Sequence, residues 1–218
     1  MITHSKVRSD RSPIHLFIVN VMVLSVFLAM VVVSCGAQGV HPVVDSANHE
    51  LKEIRTPDIL FVPTPQEVVD KMLELAEVKK DDLIYDLGCG DGRIVVTAAK
   101  KYGCRGVGYD IDPERVIESM ENVKKNNVQK LVRIEQKDIY TLDLSKANVI
   151  TLYLLASLNV KLIPQLEKLK PGSRIVSHDF DMQGIVTPDK SITVYTNNNN
   201  QHTIYLWIAP LKKNNLGK

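Results

Sequence analysis

Eight consecutive residues, Asp86-Leu87-Gly88-Cys89-Gly90-Asp91-Gly92-Arg93, join a carboxylate to three glycines at alternating positions. Glycines so placed permit a tight turn and let the backbone come close to a ligand at the start of a helix. The spacing is G-x-G-x-G, whereas dinucleotide-binding turns use G-x-G-x-x-G. A carboxylate heading the loop suits a ligand ammonium and repels a pyrophosphate. Two further acids extend the pattern. Gly108-Tyr109-Asp110 puts a carboxylate 18 residues beyond Gly92, the separation expected of a group that binds ribose hydroxyls. Lys137-Asp138 adds an oxygen able to accept from an adenine amino group.

These groups converge only if successive parallel strands deliver them to one edge of a sheet. The pattern predicts a strand at 83–86, a helix at 92–101, a strand at 105–110, a helix at 113–126 and a strand at 132–136, the alternation of right-handed βαβ units. Before it, Thr64-Pro65-Gln66-Glu67 reads as an N-cap threonine, a first-turn proline and a capping-box glutamate, opening a helix that runs to about Glu77. A fourth strand at 148–153 follows after only a short link, so the usual crossover helix is reduced or missing. Residues 157–169 read as a helix broken at Pro164, Lys170-Pro171-Gly172 as a turn, and 174–177 as a fifth strand. The alternating segments 191–196 and 203–208 form a terminal antiparallel hairpin, its asparagine run supplying a turn with positive φ. The fold class expected is α/β: a Rossmann-like, doubly wound, seven-stranded sheet, mostly parallel, with a C-terminal antiparallel hairpin.

The 218 residues exceed what this domain needs, and the surplus is N-terminal. Lys6, Arg8 and Arg11 precede a nearly unbroken apolar stretch at 16–33, long enough to approach a bilayer span and without a polar face. It ends in Val32-Val33-Ser34-Cys35-Gly36, which resembles a bacterial lipobox. The reading is a signal or membrane anchor over 1–35, either a single-pass helix or a lipoprotein leader. A linker at 36–58, a folded domain at 59–210 and a polar tail at 211–218 complete it. A membrane-associated protein is the localisation expected, on either side of the bilayer. Beyond residue 35 the chain carries 24 Lys+Arg and 24 Asp+Glu, a neutrality that argues against nucleic acid as a partner. Cys89 and Cys104 read as free thiols, with neither a CxxC pair nor a His cluster along the chain to suggest a metal.

DLGCGDGR, GYDIDP and QKDIY resemble motifs one to three of the class I S-adenosylmethionine-dependent methyltransferases. The resemblance implies S-adenosyl-L-methionine as cofactor. The loop Gly88-Cys89-Gly90 through Gly92, headed by Asp86, would lie beside its methionine part. Asp110 would hold the ribose and Asp138 contact the adenine, with Ile111 and Ile139 also in the cofactor site. A narrower resemblance spans residues 61–209. Val62-Pro63-Thr64-Pro65, VGYDIDP, the fourth strand with Leu154-Leu155, and PGSRIVSHDF are similar to the mitochondrial lysine methyltransferases of the ATP synthase c-ring and the adenine nucleotide translocase, and to their bacterial relatives. That implies a protein lysine in a membrane-associated partner as methyl acceptor.

Thr64, Tyr153, His178, Asp179 and Asp181 are placed by this topology to line the acceptor side. His178 is either a general base or a structural histidine capping a strand end. No Asn-Pro-Pro-Tyr follows the fourth strand, which removes the signature of amino-directed DNA methyltransferases. A lipid or quinone methyltransferase and a non-catalytic cofactor-binding module are the competing readings.

Overall fold

The computed structural model of the chain describes residues 56 and 60–214. The apolar stretch at 16–33 and the lipobox-like Cys35 lie outside them. Among the described residues no helix is long and apolar enough to cross a membrane. The elements in order are α1 (Gln66–Leu75), β1 (Leu83–Leu87), α2 (Arg93–Tyr102), β2 (Arg105–Asp110), α3 (Pro113–Lys125) and β3 (Val132–Gln136). A 3-10 turn (Ile139–Thr141), β4 (Val149–Leu152), α4 (Ala156–Leu166), β5 (Arg174–His178), β6 (Lys190–Tyr195) and β7 (Gln201–Ile208) follow.

The strands form one seven-stranded sheet in the order β3-β2-β1-β4-β5-β7-β6. The five strands β1 to β5 are mutually parallel, and β7 inserts antiparallel between β5 and β6. The expected architecture is therefore the observed one, and the link between β3 and β4 is reduced to the 3-10 turn. Because side chains alternate along a strand, each strand feeds both faces. Ile84, Val149, Val176 and Ile204 pack with α1, α2 and α3 on one side. Tyr85, Leu87, Ile150, Leu152, Ile175 and Trp207 pack with α4 on the other.

Two local expectations are corrected. The first helix starts at Gln66, and Pro65, not Thr64, occupies the N-cap with φ −55° and ψ 145°. The Pro65 carbonyl accepts from the Val68 and Val69 N–H groups at 3.0 Å each, and no side chain caps the helix. Thr64 is thereby free to use its hydroxyl elsewhere. The second correction is at Pro164, where α4 does not break but continues to Leu166. A helical proline costs about 3 kcal/mol. Burying Leu162, Ile163 and Leu166, all at most 5% exposed, returns about 1.5–3 kcal/mol each, and Pro164 already stands in the last turn.

At the edge formed by the strand N-termini, the Arg174 guanidinium meets Asp82 at 2.5 Å and donates through Nε to the Ala76 carbonyl at 2.9 Å. This joins β5, the segment entering β1 and the end of α1. After β7 the chain turns back: Lys213 bridges to Val186, and the Asn214 N–H donates to the Ile185 carbonyl.

Candidate active site

The opposite edge, at the carboxyl ends of β1 to β5, holds a cavity of about 260 Å³. Strand order reverses there: β2 and β3 run out from β1 on one side, β4 and β5 on the other. Open α/β sheets bind ligands at such a switch point.

The glycine loop forms its floor. Gly88, Gly90 and Gly92 all take positive φ, at 77°, 54° and 73°, and Gly92 is the N-cap of α2. A side chain at Gly90 would place its Cβ 2.1 Å from the Phe61 ring, so the loop and the segment before α1 fit together only through a glycine. The loop is also tied to β2, since the Gly90 N–H donates to Asp110 Oδ2 at 2.8 Å and the Asp112 N–H to Oδ1 at 3.0 Å. Arg93 clamps the same segment, pairing with Asp91 and donating to the Thr64 carbonyl at 2.8 Å.

Asp86 stands beside Thr151 in the β1–β4 register, and Thr151 donates to Oδ1 at 2.6 Å. The other oxygen, Oδ2, is buried without a hydrogen-bond partner. Burial raises the carboxyl to about 7, the Thr151 hydrogen bond opposes the rise, and the Asp110 and Asp91 charges add to it. Burial also raises Asp110, against the pull of its backbone donors. Burial lifts the Cys89 thiol as well, well above the ordinary thiol value, and its sulfur lies against Gly108. Cys89 and Cys104 are both free. Asp138 lines the cavity and caps the 3-10 turn, accepting from the Tyr140 N–H at 2.9 Å.

Of the residues singled out in the sequence, Asp86, Gly88, Cys89, Asp110, Ile111, Asp138, Ile139, Thr64 and Tyr153 line this cavity. Gly90 and Gly92 shape it from beneath. His178 and Asp179 do not line it. His178 is fully buried and approaches the cavity behind Thr64, with Nδ1 3.2 Å from the Thr64 hydroxyl, and beneath Tyr153, whose ring centre is 3.9 Å away. Burial lowers its imidazole to about 4, Asp179 opposes the fall and His202 adds to it. His178 therefore reaches the cavity only through the Thr64 hydroxyl and the Tyr153 ring. Asp181 turns its carboxylate to the Gln183 N–H at 2.8 Å. Sequence reading missed Phe61, Arg115, Leu154, Leu155, Leu158 and Phe180 as cavity walls. It missed His202 as well, whose place beside His178 depends on the β5–β7 pairing.

A buried carboxylate oxygen lacking a donor, a backbone cradle that only glycines allow, and acids at the end of β2 and just after β3 fit the donor set of an amino-acid nucleoside such as S-adenosylmethionine. Comparison with known proteins agrees. The ANTKMT methyltransferase domain matches residues 86–190. A protein-lysine N-methyltransferase of Saccharolobus islandicus is 46% identical over 154 residues, 70% of this chain and 94% of that protein. The chain belongs to this family of S-adenosylmethionine-dependent methyltransferases.

Other relatives bracket the methyltransferase. The crystal structure of an RNA methyltransferase from Salinibacter ruber in complex with S-adenosyl-L-homocysteine is 51% identical, with a TM-score of 0.63, over 68% of this chain and 94% of that one. A Homo sapiens lysine N-methyltransferase named for the c-ring protein of ATP synthase is 26% identical over 121 residues, 55% of this chain and 51% of that protein. This methyltransferase thus spans about half the length of its human relative.

Proposed function

We propose that the protein transfers a methyl group to the side-chain amine of a lysine in a protein substrate, and that its apolar leader brings it to membrane-associated partners. The observation that carries this reading is the mixed lining of the cavity, which combines the acids Asp86, Asp110 and Asp138 with Tyr153, Phe180, Leu154, Leu155 and Leu158. A lysine stem is four methylenes ending in an amine, and an apolar, aromatic slot takes such a stem while leaving its tip free. The names of the Saccharolobus and human relatives support the same acceptor.

S-adenosylmethionine, when bound, supplies a sulfonium methyl open to in-line displacement. The chain's own residues contribute position and exclusion of water. Asp86 Oδ2 offers an anchor for the ammonium of the amino-acid moiety, and the Gly88–Gly92 backbone keeps side chains out of its path. Thr64 and Tyr153 place hydroxyl groups on the acceptor wall, where their oxygens can accept from an amine N–H and turn its lone pair toward the methyl group. Orientation of this kind is worth several orders of magnitude in rate.

RNA as acceptor is the second reading, favoured by the name of the Salinibacter protein and opposed by the formal neutrality of residues 36–218. Incubation with methyl-tritiated S-adenosylmethionine and a cell extract, followed by separation of protein, RNA and lipid, distinguishes the acceptors. Label is expected in protein and, after hydrolysis, in methylated lysine. Label confined to RNA or to the organic phase would overturn the proposal.

A further inference from the structure

We propose that His178, Asp179 and His202 form a binding site for one divalent transition-metal ion, behind the acceptor wall and outside the cofactor cavity. Their ligand atoms form a triangle. His178 Nε2 lies 2.9 Å from His202 Nδ1 and 3.2 Å from Asp179 Oδ2, and His202 Nδ1 lies 2.9 Å from Asp179 Oδ2. Without an ion a ring proton holds these contacts as hydrogen bonds; its release on metal binding leaves three lone pairs directed at one point. Ligands about 2.0–2.1 Å from a tetrahedral ion stand about 3.3 Å apart, so the triangle has to open by only a few tenths of an ångström.

The remaining ligand-type atoms of His178 and Asp179 are occupied as ligand residues require. A metal-bound histidine ordinarily donates its other ring N–H to an oxygen, and His178 Nδ1 lies 3.2 Å from Thr64 Oγ1. In the tautomer that donates there, the Nε2 lone pair points into the triangle. Asp179 Oδ1 accepts from the Thr203 N–H at 2.8 Å, which leaves Oδ2 to the cluster. The Asp179 backbone sits at φ 57°, tied to the Thr203 carbonyl by its own N–H at 2.7 Å. The His178 ring is fixed under Tyr153. His178 is fully buried, whereas the Asp179 and His202 side chains are 29% and 16% exposed, so solvent reaches the cluster from their side. Two imidazoles and one carboxylate suit zinc and its first-row neighbours better than magnesium or calcium, which prefer all-oxygen sites.

An ion here would pin β5 to β7 and hold His178 against Thr64 and Tyr153. The site does not depend on the lysine reading, because its test uses no methyl acceptor. Full-length protein stripped with a chelator is titrated with Zn²⁺ by calorimetry, and Co²⁺ serves as a spectroscopic probe. One ion per chain is expected, with Co²⁺ giving the visible bands of a low-symmetry nitrogen–oxygen site. Asp179→Asn, which keeps the acceptor for the Thr203 N–H, and His202→Ala should each weaken binding, by roughly 100-fold or more. Thr64→Val should weaken it by about 10-fold, as loss of an outer hydrogen bond does. A far-ultraviolet circular dichroism spectrum and melting temperature for each variant report that it is folded. Stripped wild-type protein that takes up no Zn²⁺ would overturn the proposal. So would binding that survives in both Asp179→Asn and His202→Ala, since the ion would then sit elsewhere, for instance on the histidines and Cys35 of residues 1–55.

Discussion

The two oxygens of Asp86 have different fates, since Oδ1 takes the Thr151 hydrogen bond and Oδ2 is buried without one. With the carboxyl raised to about 7 by burial, the free fold favours the protonated form below that pH. Its contribution to stability is present below the unfolded carboxylate value of about 3.9 and is lost as pH rises through about 7. A ligand ammonium reverses that preference, because it pairs with the ionised form. S-adenosylhomocysteine affinity is therefore expected to rise between about pH 5 and pH 7, by up to roughly tenfold per pH unit, and then to level off. Asp86→Asn should flatten that dependence and weaken binding about 10- to 100-fold, the worth of a hydrogen bond to a charged group. Calorimetry across the pH range checks both. Gly90 makes a second residue-scale case. Gly90→Ala carries about 1–2 kcal/mol for a left-handed alanine and drives its Cβ into Phe61. It should weaken S-adenosylhomocysteine binding more than tenfold, and adding Phe61→Ala should restore only the part due to the clash.

At the scale of elements, the two edges of the sheet divide the work. The carboxyl edge carries the loop, the acids and the acceptor wall. The amino edge carries the Arg174–Asp82 pair, whose side chains are 19% and 9% exposed. Removing one partner of a buried pair leaves the other charge uncompensated, at a cost of about 3–5 kcal/mol; the residual exposure of Arg174 puts Arg174→Ala near the lower end. Denaturant unfolding should show that loss while S-adenosylhomocysteine affinity, read at the far edge, stays the same. An affinity that falls with stability would mean that the edges are coupled through β5. The elements themselves were largely legible, because β-branched runs between glycine and proline punctuation leave few alternatives. Pro164 and Thr64 were misread for one reason: local capping and breaking preferences are worth about 1–3 kcal/mol. Burial of α4 and the His178 contact outweigh them.

At the scale of the whole molecule, the neutral domain and the apolar leader make different demands. On the reading proposed above, residues 16–33 are apolar enough to enter a bilayer. Full-length protein is expected to float with liposomes in a density gradient, and a chain beginning at residue 56 to remain at the bottom while still binding S-adenosylhomocysteine. Equal behaviour of the two would remove the leader from the account of substrate choice.

The sequence by itself determined that the glycine loop and the acids of its motifs would meet at one edge of the sheet. A glycine loop and acids at strand ends are local features, since positive φ and strand termini are written in residue type and spacing. Asp86, Asp110 and Asp138 accordingly sit where their motifs placed them. Only the tertiary structure decided the acceptor half. Insertion of β7 beside β5 brings His202 next to His178 and Asp179 across 24 and 23 residues of chain, and the same packing buries His178 behind Thr64 and Tyr153. Strand pairing and burial depend on the whole sheet, and no short stretch of sequence encodes them.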